Sequence, residues 1–94
     1  MIAKILKFGA TWCGPCRLLE DRLKDFNLVP IEKYDVDEED GLCYKYGITN
    51  IPALIFLNEE DKVVNRITGL TTIDEITKVI NDYNSKKDGM SPES

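Results

Sequence analysis

The sequence contains no histidine. That absence removes the usual general base, the usual zinc ligand and every cysteine–histidine catalytic pair. Long apolar runs are missing as well. The longest stop after a few residues, far short of the ~20 needed to span a bilayer. Met1-Ile2-Ala3-Lys4-Ile5-Leu6 has no apolar core long enough for a secretory signal. Positive charge is scarce: 12 Lys and Arg stand against 17 Asp and Glu, a formal net charge of −5, and the nearest thing to a basic cluster is Lys86-Lys87. Neither nucleic acid nor an anionic membrane surface is expected as a partner. Cysteine is sparse and odd in number, at positions 13, 16 and 43, which does not suit a secreted disulfide framework. A cytoplasmic, reducing setting is the expectation.

What is present fits one domain with one modest core: 94 residues, 43% of them hydrophobic and 31% charged. Ile2 to Phe8 alternates loosely and reads as a strand ended by Gly9. Leu18, Leu19, Leu23 and Phe26 recur at helical spacing, which predicts an amphipathic helix from about Cys13 to Phe26. Pro30 to Val36 is a second strand. Asp37 can cap a second helix through Leu42, Cys43 and Tyr46, which Gly47 ends. Ala53 to Leu57 is continuously apolar, as a strand buried on both faces would be. A turn at 58–61 links it in a hairpin to Lys62–Ile67. Thr71 or Thr72 caps a last helix, with Ile73, Ile76, Val79, Ile80 and Tyr83 on one face. Residues 1–84 are expected to form the domain and 85–94 a flexible polar tail. The order βαβαββα predicts an α/β fold: a four-stranded mixed sheet with helices on both faces.

Cys13-Gly14-Pro15-Cys16 at the strand-to-helix junction is the strongest chemical signal. A disulfide needs Cα atoms roughly 4.4–6.8 Å apart, which three residues of helix provide. Cys13 then sits at a helix N-terminus, where free N–H groups and the helix dipole favour a thiolate nucleophile. Cys16, one turn further in and less exposed, can attack the mixed disulfide and release a reduced substrate. Gly14 is expected to ease the turn and Pro15 to pre-set the first helical turn. Trp12 would offer a flat apolar surface beside the sulfur. Zinc would need four soft or imidazole ligands, and an iron–sulfur cluster a thiol from elsewhere; three cysteines without His disfavour both. No metal is expected.

The sequence here resembles the thioredoxins. The resemblance rests on Phe8-Gly9-Ala10-Thr11-Trp12-Cys13-Gly14-Pro15-Cys16, on Asp35-Val36-Asp37, and on Tyr46-Gly47-Ile48-Thr49-Asn50-Ile51-Pro52-Ala53-Leu54, and it covers residue 2 to about residue 83. It implies a thioredoxin-like fold without the leading strand and helix of the longer members, which leaves the strand from Ile2 less covered or even at an edge. It implies a protein-disulfide reductase serving electron transport and cell redox homeostasis. No cofactor of its own is expected. A flavin-dependent thioredoxin reductase is expected as electron donor, disulfide-bearing proteins as substrates, and a monomer. It assigns Cys13 as attacking and Cys16 as resolving. It makes Pro52 a cis proline beside the disulfide, with the Ile51 backbone free to pair with an extended substrate. Trp12 joins them on the substrate side. Gly69 either lines that surface or is an ordinary loop glycine.

Departures from the family accompany these matches. Where the family has a buried Asp before the first cysteine, this sequence has Lys7. Its ammonium is expected to reach solvent or a carboxylate, and either to slow Cys16 deprotonation or to stabilise thiolates and make the protein more oxidising. Lys33, matching the family's Lys near that Asp, is expected to lack its partner. A family Trp is replaced in the Gly9 region, leaving a less bulky floor. Cys43 reads as a small buried hydrophobe rather than a regulatory thiol, and Tyr34, Tyr44 and Tyr46 as packing residues. Two other functions compete: a glutathione-dependent activity, disfavoured by Gly14-Pro15 between the cysteines, and a docking module without catalysis, disfavoured by the intact cysteine pair.

Overall fold

A computed structural model describes residues 1–89, with side chains through residue 85. Its elements are β1 (Ile2–Gly9), α1 (Gly14–Arg22), β2 (Ile31–Asp35), α2 (Asp40–Tyr46), β3 (Ala53–Asn58), β4 (Val63–Thr68) and α3 (Ile73–Gly89). The sheet has the order β2-β1-β3-β4. β1 pairs parallel with β2 and antiparallel with β3, and β3 pairs antiparallel with β4. The expected four-stranded mixed sheet is therefore present. One expectation is corrected: β1 lies between two strands, and the edges are β2 and β4.

Alternation sorts the two central strands onto two cores. Ile5, Leu54 and Phe56 meet Leu19 and Leu23 from the α1 segment and Ile76 and Ile80 of α3. Leu6, Phe8, Ala53, Ile55 and Leu57 face the other way, towards Leu42, Cys43 and Tyr46 of α2. A register shift between Ile2 and Lys4 brings Ile2 onto the same side as Ile5. Burying both faces of β1 and β3 explains why, Lys4 and Lys7 of β1 apart, their sequences are nearly all apolar.

The segment boundaries depart from the sequence reading for local reasons. α1 ends at Arg22 instead of Phe26, because the chain tightens into i−3 hydrogen bonds: Lys24 N–H to Asp21 and Phe26 N–H to Leu23. Phe26 still packs on the first core. Asp37 does not cap α2. Glu39 holds the cap position without a side-chain bond, and the Asp35 carboxylate accepts the Asp37 N–H at 2.8 Å. Gly47 does end α2, in the left-handed conformation (φ 64°), and Arg66 from β4 donates to the Tyr46 carbonyl at 2.7 Å. Of the two candidate threonines, Thr72 caps α3, accepting the Glu75 N–H at 3.2 Å; Thr71 donates to the Glu75 carboxylate. α3 runs to Gly89, so the domain boundary expected after residue 84 falls inside a helix. The remainder of the expected tail, 90–94, lies outside the described residues.

Candidate functional site

Gly9 ends β1, and the chain turns directly into α1. Cys13 is the N-cap of that helix, with extended backbone, and Pro15 sits in the first turn, where a missing N–H is harmless. Cys13 and Cys16 are joined by a disulfide with Cα atoms 5.2 Å apart. The Cys13 Sγ accepts the Cys16 backbone N–H at 3.2 Å. A sulfur in the capping position, hydrogen-bonded by a helix-terminal amide, is better able to carry negative charge than one inside the helix. Burial does not separate the two cysteines as the sequence suggested: each is 6% exposed. What separates them is the cap hydrogen bond. Gly14 adopts no left-handed conformation, and a Cβ there would meet nothing within 4 Å, so the turn makes no demand that only glycine can meet.

The sheet registers set a row of residues behind the disulfide. Gly9 pairs with Asp35 in β2. Phe8 pairs with Ala53, the residue that follows Pro52. The Pro52 carbonyl accepts the Gly69 N–H at 2.8 Å, with Gly69 at φ 95°. The Ile51–Pro52 peptide is cis, as the resemblance implied. Pro52 is buried, while Ile51 is half-buried against the second core. The β1–β3 ladder stops at Ala53 among the described residues, leaving Ile51 outside it. Gly9 is the point of closest approach: a Cβ there would lie 3.3 Å from both Cβ and Sγ of Cys16. That space requirement was not read from the sequence, although a glycine ending a strand just before Cys-x-x-Cys could have signalled it.

Trp12 is 68% exposed, and its indole Nε1–H donates to Asp37 Oδ2 at 2.8 Å. Lys7 is 7% exposed and enters no hydrogen bond or ion pair among the described residues. The side chain is mostly buried and borders an open cavity, and the Glu20 carboxylate acts on it through space without a hydrogen bond. Burial lowers its pKa below the usual 10.5, with Glu20 opposing and Lys33 adding to that shift. Lys33 is not orphaned; it forms an ion pair with Glu20, whose carboxyl is held below its usual range chiefly by that hydrogen bond. Lys7, Gly9 and Cys16 line one cavity of about 640 Å³, together with Arg17, Glu20, Lys33 and Tyr34 among others.

Cys43, Tyr34 and Tyr46 pack against the second core as expected, whereas Tyr44 does not pack, because it stands on the solvent side of α2. Cys43 is half-buried against the second core, and burial beside Asp40 and Glu39 raises its pKa. Tyr34 and Tyr46 flank Phe8, with ring centroids 5.5 Å and 6.1 Å away, while Tyr44 is 92% exposed. No group of His, Cys, Asp and Glu able to hold a metal ion occurs among the described residues.

The thioredoxin family profile matches residues 2–82. A thioredoxin from Listeria monocytogenes is 36% identical over 81 residues, 81% of this chain and 78% of its own length. One from Chlamydia caviae is 34% identical over 83 residues, 84% of this chain and 80% of its own. Among solved structures, a mutant thioredoxin from Halobacterium salinarum superposes with a TM-score of 0.78 at 30% identity, covering 85% of this chain and 73% of that one.

Proposed function

This chain belongs to the thioredoxin family and is a thiol–disulfide oxidoreductase; from that premise we propose that Cys13 attacks protein disulfides and Cys16 resolves the product. The observation that carries the assignment is the N-cap geometry, with Cys13 Sγ accepting the Cys16 N–H at 3.2 Å. In the reduced protein the Cys13 thiolate attacks one sulfur of a substrate disulfide. That S–S bond breaks, and the departing substrate thiolate takes a proton. The Cys16 thiolate then attacks Cys13 Sγ, the mixed disulfide breaks, and the second substrate thiol leaves. Two electrons have passed to the substrate, and Cys13 and Cys16 are again joined.

Trp12, Ile51, Pro52 and Gly69 form the docking surface in this reading, with Ile51 offering backbone groups to an extended segment. Gly14 and Pro15 shape the turn. A flavin-dependent thioredoxin reductase returns the electrons, and the protein works as a monomer in the cytoplasm. No described helix is long and apolar enough to cross a membrane.

Insulin reduction driven by dithiothreitol tests the assignment. Wild type should precipitate insulin chains, Cys13→Ser should not, and Cys16→Ser should accumulate a mixed disulfide at Cys13. A mixed disulfide that forms at Cys16 in Cys13→Ser and turns over with insulin would reverse the roles. Activity of Cys16→Ser that needs glutathione would favour the glutathione-dependent reading. No activity in either setting would leave only a docking role.

A further inference from the structure

The cavity of about 640 Å³ touches Cys16 and not Cys13. Its volume falls in the range of small-molecule sites, roughly 300–1,000 Å³. Its charged lining residues are Lys7, Arg17, Glu20, Lys33, Asp35, Glu38 and Glu39. Only Lys7 of these is buried. Glu20 and Lys33 neutralise each other at the mouth, Asp35 accepts the Asp37 N–H, and Arg17 and Glu38 are exposed. The two buried residues of the lining are therefore Lys7 and Cys16, and Lys7 has no hydrogen bond or ion pair among the described residues. Lys7 and Gly9 lie on the same side of β1, two residues or about 6.6 Å apart along the strand, and Gly9 abuts the Cys16 sulfur. A buried ammonium without a hydrogen-bonding partner is costly in a structure of this size. Such a group is most readily explained by a ligand that completes it.

We propose that this cavity is a second entrance to the disulfide, which takes a low-molecular-weight thiol carrying a carboxylate, seats the carboxylate on Lys7 and delivers the thiol sulfur to Cys16. The inference rests on the redox reading above and names an additional substrate class for the same disulfide. In the first step the ligand thiolate attacks Cys16 Sγ. The Cys13–Cys16 bond breaks, and Cys13 leaves as the thiolate. It is the better leaving group of the two, because its sulfur holds the N-cap hydrogen bond. A second ligand thiolate attacks the ligand's own sulfur in the mixed disulfide and releases Cys16 as a thiolate. Two thiols become one small disulfide, the protein disulfide becomes two thiols, and the two thiol protons end on Cys13 and Cys16. Attack on a disulfide runs in line with the bond being broken, so a nucleophile aimed at Cys16 must come from the side away from Cys13. A cavity lined by Cys16 alone of the pair offers that approach.

The test compares 3-mercaptopropionate with neutral 2-mercaptoethanol as reductants of the oxidised protein, each rate expressed per thiolate. The ratio of the two rates should fall by about tenfold from wild type to Lys7→Gln, the scale of one charge-assisted contact, and Lys7→Arg should keep most of it. Taking a ratio removes any general effect of Lys7 on the disulfide. As a second measurement, Cys13→Ser should be thiolated at Cys16, located by peptide mapping, faster by dithiodipropionate than by bis(2-hydroxyethyl) disulfide, and Lys7→Gln should erase that preference. Ratios equal within twofold across wild type and Lys7→Gln, or no preference at Cys16, overturn the proposal. Insulin reduction by wild type with dithiothreitol reports the underlying redox reading separately, so that failure of one is not mistaken for failure of the other.

Discussion

The Trp12 indole donates to the Asp37 carboxylate at 2.8 Å, tying the loop before α1 to the turn after β2. Asp37 thus does at the active-site loop what it was expected to do for a helix. The contact is exposed on both sides, so its worth to global stability is small. Its effect falls on the pose of Trp12 beside Cys13. Asp37→Ala should shift the emission of Trp12, the one tryptophan of the chain. It should raise KM for a protein disulfide by about threefold and leave stability within about 1 kcal/mol. Steady-state insulin kinetics and urea unfolding check the two halves. An unchanged KM with a shifted spectrum would remove Trp12 from the docking surface.

Gly9 leaves little room for a side chain. A methyl there would lie 3.3 Å from Cys16 Cβ and Sγ, and the disulfide and α1 together limit how far Cys16 can move aside. Gly9→Ala should destabilise the oxidised protein by about 1–3 kcal/mol, the usual cost of overpacking. Urea midpoints of oxidised protein, at constant slope, measure this. Equal midpoints would show that α1 has slack at its first turn.

The elements that were legible from sequence are those in which both faces or one face carry an unbroken apolar signal. Ala53–Leu57 is an example: neighbours on both sides bury it, and the run says so. Cys13 at a helix start was legible because capping and thiolate stabilisation follow from chain position alone. The misreadings arose where a polar side chain had two possible employments. Asp37 could cap α2 or hold Trp12, and only the three-dimensional path of the loop decides between them. Lys33 finds Glu20 across the gap between β2 and α1, a pairing with no local signature. Lys7 was noticeable as a charge in an apolar strand, but not the cavity beside it, since that is created by elements distant in sequence.

Gly69 is either a loop glycine or part of the docking surface, and its geometry lets experiment separate the two. Its φ of 95° disfavours any side chain, yet a Cβ would meet nothing within 4 Å. Gly69→Ala should therefore cost about 1–2 kcal/mol through backbone conformation without a packing clash. The added methyl points into open space beside the row that includes Pro52. If substrate lies there, KM for insulin should rise while reduction of a small neutral disulfide stays near wild type. Loss of stability with both KM values unaltered would restrict Gly69 to the loop.

Lys7 should make the protein less stable than its Met variant at neutral pH, by about 1–2 kcal/mol, because Met fills the same volume without an unpartnered charge. The pH dependence follows from its lowered pKa. Below the folded-state pKa the amine is charged in both folded and unfolded protein, and the full burial penalty applies. Between that value and 10.5 the unfolded chain binds the proton and the folded protein does not, so stability rises with pH. Wild type should thus gain on Lys7→Met as pH climbs towards 10.5. Glu20, Lys33, Arg17, Asp35, Glu38 and Glu39 face the same cavity but are common to both proteins, so they largely cancel in the difference. Paired urea titrations of the oxidised forms give the gap at each pH; a gap that stays flat from neutral pH upwards would mean that Lys7 is solvated in the folded state. A carboxylate held in the cavity works against the burial penalty from the other direction, since it keeps the amine charged and gives it a partner. Propionate, which has the carboxylate and no thiol, should stabilise wild type and not Lys7→Met at neutral pH, by mass action on the folded state alone. Equal stabilisation of the two by propionate would place the anion elsewhere on the protein.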